Sequence, residues 1–177
     1  MAESRSVKFL GLLRALLRHR VDFLVVGGVA AQLEGAPILT LDLDVLYDKA
    51  PENLGRLLAA LRELNACYRD PAGRHIEPDL AKLETLRLHL LRTDLGALDV
   101  LGEIGNGQTY QDLVDRTVSY ELGEVRVRVL ELAAVIETKE QANREKDRAV
   151  LPVLRQTLRM KTQVLADLLL GQKEDGK

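Results

Sequence analysis

The chain of 177 residues has one cysteine, Cys67, no tryptophan, and only 3% aromatic residues. A lone cysteine excludes an internal disulfide and any all-cysteine metal site, and it fits a reducing cytoplasm. The scarcity of rings leaves the core to leucine, valine and alanine. It also argues against a single-strand nucleic-acid reader, because such sites stack bases on aromatic platforms. No eighteen apolar residues run uninterrupted, so no membrane span is expected. The first apolar stretch is broken by Arg14, Arg18 and Arg20 and is followed by no small-residue cleavage site, so it does not read as a signal peptide. The expected location is the cytoplasm.

What is present is ordinary in bulk and uneven in detail. Apolar residues make up 46% and charged residues 29%, as in a soluble globular domain long enough to bury a core. The formal net charge is −2. That total hides segregation. Residues 1–20 carry five basic side chains against one acid, residues 21–138 eleven against twenty, and residues 139–161 seven against three. An acidic centre is thus flanked by two basic arms, which leaves a polyanionic partner open.

Hydrophobic periodicity predicts an amphipathic helix over 4–19, a buried strand over 22–26 ending at Gly27-Gly28, and a short helix over 29–34. Alternation predicts a strand over 39–47, and Pro51 opens a helix to about 65. Turn formers fill 69–79. A hairpin is expected over 85–92 and 97–101, and another over 117–121 and 124–130. Helices follow at 131–142 and 150–170, the last starting near Pro152. The tail 171–177 reads as disordered. Helix, strand, helix, strand, helix, two hairpins and helices describe an α/β or α+β domain around a mixed β-sheet. No regular βαβ repeat is present, which disfavours a Rossmann or barrel fold.

Two motifs carry chemistry. Asp42 and Asp44 lie two apart on a predicted strand, so both project from one face. Paired carboxylates repel unless a cation lies between them, and hard oxygen ligands suit Mg²⁺. Gly27-Gly28 joins a buried strand to a helix and lets backbone approach a ligand closely, with a helix N-terminus facing phosphate. Each motif has a plainer reading, a solvated strand face in one case and a tight turn in the other. Asp48 shares the parity of Asp42 and Asp44 but reads as a cap for the Pro51 helix. His19, His75 and His89 share no metal-ligand spacing.

Together, Val26-Gly27-Gly28 and Asp42-Leu43-Asp44-Val45 resemble the signature of the polymerase-beta-like nucleotidyltransferase superfamily. The resemblance implies a third carboxylate on a later strand, and Leu98-Asp99-Val100-Leu101 fits. Gly28-Val29-Ala30-Ala31, Thr40, and Leu132–Lys139 followed by Arg144-Glu145-Lys146-Asp147 are similar to the small bacterial nucleotidyltransferases grouped with AbiEii abortive-infection toxins. One departure is Ile38, where that group usually has a basic residue; if that residue helps hold a phosphate, this protein supplies charge elsewhere or binds substrate differently.

The resemblance implies a nucleotidyltransferase core over 1–130, including the N-terminal helix, with a helical segment over 131–170 packed on it. It implies transfer of a nucleoside monophosphate from an NTP to an acceptor hydroxyl, releasing pyrophosphate. Asp42, Asp44 and Asp99 would be catalytic and would hold two Mg²⁺ ions, or Mn²⁺. Gly27, Gly28, Thr40, Lys139 and Lys146 would bind nucleotide. Without the resemblance, Lys139 and Lys146 read as surface charges at a helix junction and Asp147 as a helix cap. Candidate acceptors are tRNA or another RNA, a protein hydroxyl and a small molecule such as an aminoglycoside. Candidate partners are a second copy of the chain or a cognate antitoxin. The rival readings are a catalytically weak member that binds nucleotide or a partner protein within a toxin–antitoxin pair, and a dimerising structural protein.

Overall fold

The protein is described here by a computed structural model covering residues 2–171. The tail expectation for 172–177 lies outside the described residues. The elements run α1 (Ala2–Arg18), β1 (Phe23–Val26), α2 (Gly27–Leu33), β2 (Asp42–Tyr47), α3 (Pro51–Glu63), β3 (Cys67–Tyr68), α4 (Leu80–Thr85), β4 (Leu88–Thr93), β5 (Gly96–Leu101), α5 (Tyr110–Leu113), β6 (Thr117–Leu122), β7 (Val125–Leu130), α6 (Leu132–Ala142) and α7 (Glu145–Gly171). The strands form one seven-stranded mixed sheet in the order β3-β4-β5-β2-β1-β7-β6. The antiparallel pairs β1/β2, β3/β4, β4/β5 and β6/β7, of which β4/β5 and β6/β7 are hairpins, are joined through parallel pairings of β2 with β5 and β1 with β7. The α+β class with a mixed sheet is as expected from the alternating runs.

The core is aliphatic, as the composition requires. Leu12, Leu13 and Leu16 of α1 and Leu54, Leu57, Leu58 and Leu61 of α3 are buried with Leu24, Val25, Leu43, Val45 and Val100 of the sheet. Leu132, Val135 and Ile136 of α6 and Leu151 and Leu154 of α7 join the same cluster. No helix among the described residues is long and apolar enough to cross a membrane.

Four local expectations are corrected. The second strand starts at Asp42 instead of 39, because Leu39 and Leu41 project into solvent, 87% and 67% exposed. The last helix begins at Glu145, and Pro152 lies inside it. Proline there removes one backbone donor, but burial of Leu151 and Leu154 holds the helix on the core. Asp48 does not cap α3, whose N-cap is Ala50 with no side-chain bond. Its carboxylate instead accepts from the Ala50 N–H at 3.0 Å and from Gln111 at 2.8 Å. The short elements β3 and α4 arise inside or beside stretches that read as loop and strand.

A buried polar chain ties the β4 edge together. Tyr47 Oη donates to the Leu83 carbonyl at 2.6 Å and stands 3.1 Å from His89 Nε2, and Tyr68 Oη lies 2.7 Å from His89 Nδ1. With the Tyr47 proton committed to Leu83, His89 Nε2–H donates to Tyr47 and Nδ1 accepts from Tyr68. Burial, with Lys49 nearby, pushes the His89 pKa down to about 4, so the ring is neutral. Its role is structural, consistent with the absence of metal-ligand spacing.

Candidate active site

The site forms where β1 turns directly into α2. Gly27 makes that turn at φ +64, a left-handed conformation that side chains rarely adopt. A Cβ at Gly27 would fall 2.2 Å from Asp44 Oδ2, and one at Gly28 2.7 Å from Thr40 Cβ. The Gly-Gly pair is therefore required by the carboxylate and the threonine packed against it. The Gly28 N–H donates to the Asp44 carboxylate. Thr40 Oγ1 donates to the Asp42 carbonyl at 3.2 Å, which steadies the entry to β2.

Strand register assembles the carboxylates. Asp44 of β2 sits opposite Val26 of β1 on one side and Asp99 of β5 on the other, and Leu90 of β4 sits opposite Asp99. Paired residues of neighbouring strands share a face, and Asp42 shares it by parity. Asp99 is buried, 8% exposed. Burial and the neighbouring Asp42 raise the Asp44 pKa to about 6, partly offset by the Gly28 N–H, Lys139 and Lys146. Burial and Asp44 likewise raise Asp99 to about 6, with Arg69 opposing. Two raised carboxylates side by side are what crowded like charges produce, and such pairs cluster at functional sites.

Two lysines of the basic arm come to this face. Lys139 and Lys146 act electrostatically on Asp44, and Lys146 also on Asp99. Lys139 Nζ donates to Asp147 Oδ1 at 3.1 Å, and Arg144 Nε donates to Asp147 Oδ2 at 2.6 Å. Asp147 is fully buried. Burial alone would raise its pKa, but the bonds from Arg144 and Lys139 outweigh that and hold it low. Asp147 thus orients Lys139 from the first turn of α7.

Sequence reasoning missed Arg69. It follows β3 directly, and its guanidinium spans two of the carboxylates. Nη1 lies 3.4 Å from Asp42 Oδ2, and Nη2 donates to Asp99 Oδ1. The only signal available was a basic residue next to the turn Asp70-Pro71, and spacing cannot carry a residue 30 positions away onto Asp99. Ile38, the apolar departure noted above, is half-buried against the core, and its carbonyl accepts from Gln32 at 2.7 Å.

The donor set was weighed against Mg²⁺. Among the described residues no three acidic, histidine or cysteine side chains stand close enough together to cage one ion. Mg²⁺ does not need such a cage, since it usually takes one or two carboxylates plus substrate phosphates. Asp42 and Asp44, with Asp99 on the next strand, supply hard oxygens of the kind Mg²⁺ takes, and they fit. A separate apolar groove of about 1080 Å³, lined by Pro37, Val153, Thr157, Met160 and Leu168 among others, contains none of these carboxylates.

No family model and no curated protein matches the chain. Solved structures do. A "putative nucleotidyltransferase" from Thermotoga maritima aligns over 92% of this chain and 93% of its own, at 18% identity and a TM-score of 0.49. The antibiotic-resistance factor ANT(2'')-Ia aligns over 99% of this chain and 96% of its own, at 14% identity and a TM-score of 0.56. Identities this low speak for the fold alone, and the second alignment shows that this chain shares the fold of ANT(2'')-Ia.

Proposed function

We propose that the chain is a metal-dependent nucleotidyltransferase that moves a nucleoside monophosphate from an NTP to an acceptor hydroxyl, with release of pyrophosphate. The observation that carries this reading is the register of Asp44 beside Asp99 with Asp42 on the same face, next to the Gly27-Gly28 turn. Asp42, Asp44 and Asp99 would hold Mg²⁺, or Mn²⁺, which when bound supplies neutralising charge and acidifies the acceptor hydroxyl. The chain's own residues position and neutralise. Lys139, held by Asp147, and Lys146 face the triphosphate. Gly27 and Gly28 leave the turn bare of side chains, and Thr40 keeps the β2 entry in place. Asp99, in register beside Asp44, is the group placed to accept the hydroxyl proton.

The acceptor is read only as a class. Lys139 and Lys146 beside the site suit an anionic substrate, and the acceptor classes are RNA, including tRNA, a protein hydroxyl and a small molecule. A toxin-like role of the AbiEii kind belongs to the same proposal, as does a partner, antitoxin or second copy, on the exposed residues Met160, Val164, Leu165 and Leu168 of α7. The test is incubation with each labelled NTP, Mg²⁺ and total cell RNA or lysate. Label transfer by the wild type and its loss in Asp42→Ala, Asp44→Ala and Asp99→Ala, each still folded, supports the reading. Full activity in Asp44→Ala refutes it. A catalytically weak, nucleotide-binding protein is the second reading. It is favoured by the apolar Ile38 and would show NTP binding by calorimetry with no label transferred.

A further inference from the structure

We infer that Arg69 is the resident cation of the carboxylate site, a positioning residue whose ion pairs oppose the binding of a divalent ion. The inference rests on the reading of Asp42, Asp44 and Asp99 as ion ligands. β3 ends after two residues, and the Arg69 N–H then bonds to the Leu90 carbonyl at 2.9 Å. Leu90 stands opposite Asp99 in the β4/β5 register. That anchor aims the side chain across β4 and β5 toward β2. Its guanidinium meets Asp99 and Asp42 together. The Asp99 side chain is 12% exposed and that of Arg69 34%.

Three carboxylates on one face repel; Asp44 carries a raised pKa, and Asp99 does so in spite of Arg69. A planar fork of donors neutralises two carboxylates at once, which a single ammonium does less well. The same carboxylates are the ligands a hard divalent ion needs. Arg69 takes one oxygen each of Asp42 and Asp99 and none of Asp44, so a divalent ion can reach the remaining oxygens, but it is repelled by the guanidinium beside them and binds against the Arg69 contacts. The intrinsic affinity of the carboxylates for the ion is reduced by the stability of the Arg69 contacts.

The test is Mn²⁺ titration of nucleotide-free protein, followed by electron paramagnetic resonance, with folding checked by circular dichroism. Arg69→Gln is expected to bind Mn²⁺ about tenfold more tightly than wild type, the scale of one close ion pair with a partly buried carboxylate. Arg69→Lys, which keeps the charge, is expected to fall between the two. Equal or weaker binding in Arg69→Gln overturns the inference, as does an Arg69→Lys affinity equal to that of Arg69→Gln. A second measurement needs no neutral variant. Mg²⁺ titration of the wild type should shift the Arg69 Nε–H nuclear magnetic resonance, identified by its loss in Arg69→Lys, and no shift overturns the inference. Arg69→Gln combined with Asp44→Asn separates this outcome from failure of the functional reading. Undiminished Mn²⁺ binding there places the ion elsewhere and removes both, whereas unchanged affinity in Arg69→Gln alongside Asp44-dependent binding removes only the role of Arg69.

Discussion

Asp44→Asn should stabilise the metal-free protein while abolishing nucleotide transfer. The substitution is isosteric, and the asparagine oxygen still accepts from the Gly28 N–H. What it removes is a charge that burial and Asp42 penalise, lifting the carboxyl from its usual 3.8 to about 6. At ~1.36 kcal/mol per pH unit that is ~3 kcal/mol at neutral pH. Part of it is shared with Asp42 and Asp99, so about 2 kcal/mol is expected. For a chain of 177 residues this corresponds to a Tm increase of roughly 4–8 °C. The sign follows from linkage. A carboxyl whose folded pKa is raised destabilises the fold above that pKa, and the penalty fades as pH falls from about 6 toward 4. The gap between variant and wild type should therefore be widest near pH 7.5, shrink through pH 6 to 4, and close only below the ordinary carboxyl value of 3.8. The difference is the readout, because His89 titrates over the same range with the opposite sign. Its folded pKa is lowered to about 4, so stability is lost as pH drops below 6.5. Thermal unfolding in chelator at several pH values is the assay. An Asp44→Asn protein less stable than wild type at pH 7.5 would refute the reasoning.

Three further outcomes are expected. Asp147→Ala should cost ~3 kcal/mol by urea unfolding, since it leaves Lys139 without its buried partner; because the Asp147 pKa is lowered, that cost persists at neutral pH and disappears only below the ordinary carboxylate range. Gly27→Ala should destabilise by ~2 kcal/mol or more, from left-handed strain plus contact with Asp44, and should reduce label transfer at temperatures where the protein remains folded. Tyr47→Phe should cost ~2 kcal/mol in Tm-derived stability by orphaning the Leu83 carbonyl and His89 Nε2–H, while leaving transfer activity at 25 °C unchanged.

Much of the fold was legible where side-chain periodicity is local. Leu54, Leu57, Leu58 and Leu61 declared α3, and the alternation in Asp42–Tyr47 declared β2 and the shared face of its two acids. Errors fell where local and tertiary signals compete. Leu39 and Leu41 continue the alternation of β2 but have no neighbouring strand to pair with. Pro152 reads as a helix start, yet the core contacts of Leu151 and Leu154 carry α7 back to Glu145.

At the site, the sequence alone determined the residue types and their local parity: two glycines at a strand end, Asp42 and Asp44 facing one way, and Asp99 among apolar neighbours. These follow from backbone geometry over a few residues. Only the tertiary structure decided the rest. Parallel pairing of β2 with β5 brought Asp99 beside Asp44, the α6–α7 junction delivered Lys139 and Asp147, and a two-residue edge strand placed Arg69 across the acids. Those contacts join residues far apart in the chain, where no periodicity reaches. They are chosen by the burial of the whole sheet and by the need of crowded carboxylates for a positive neighbour.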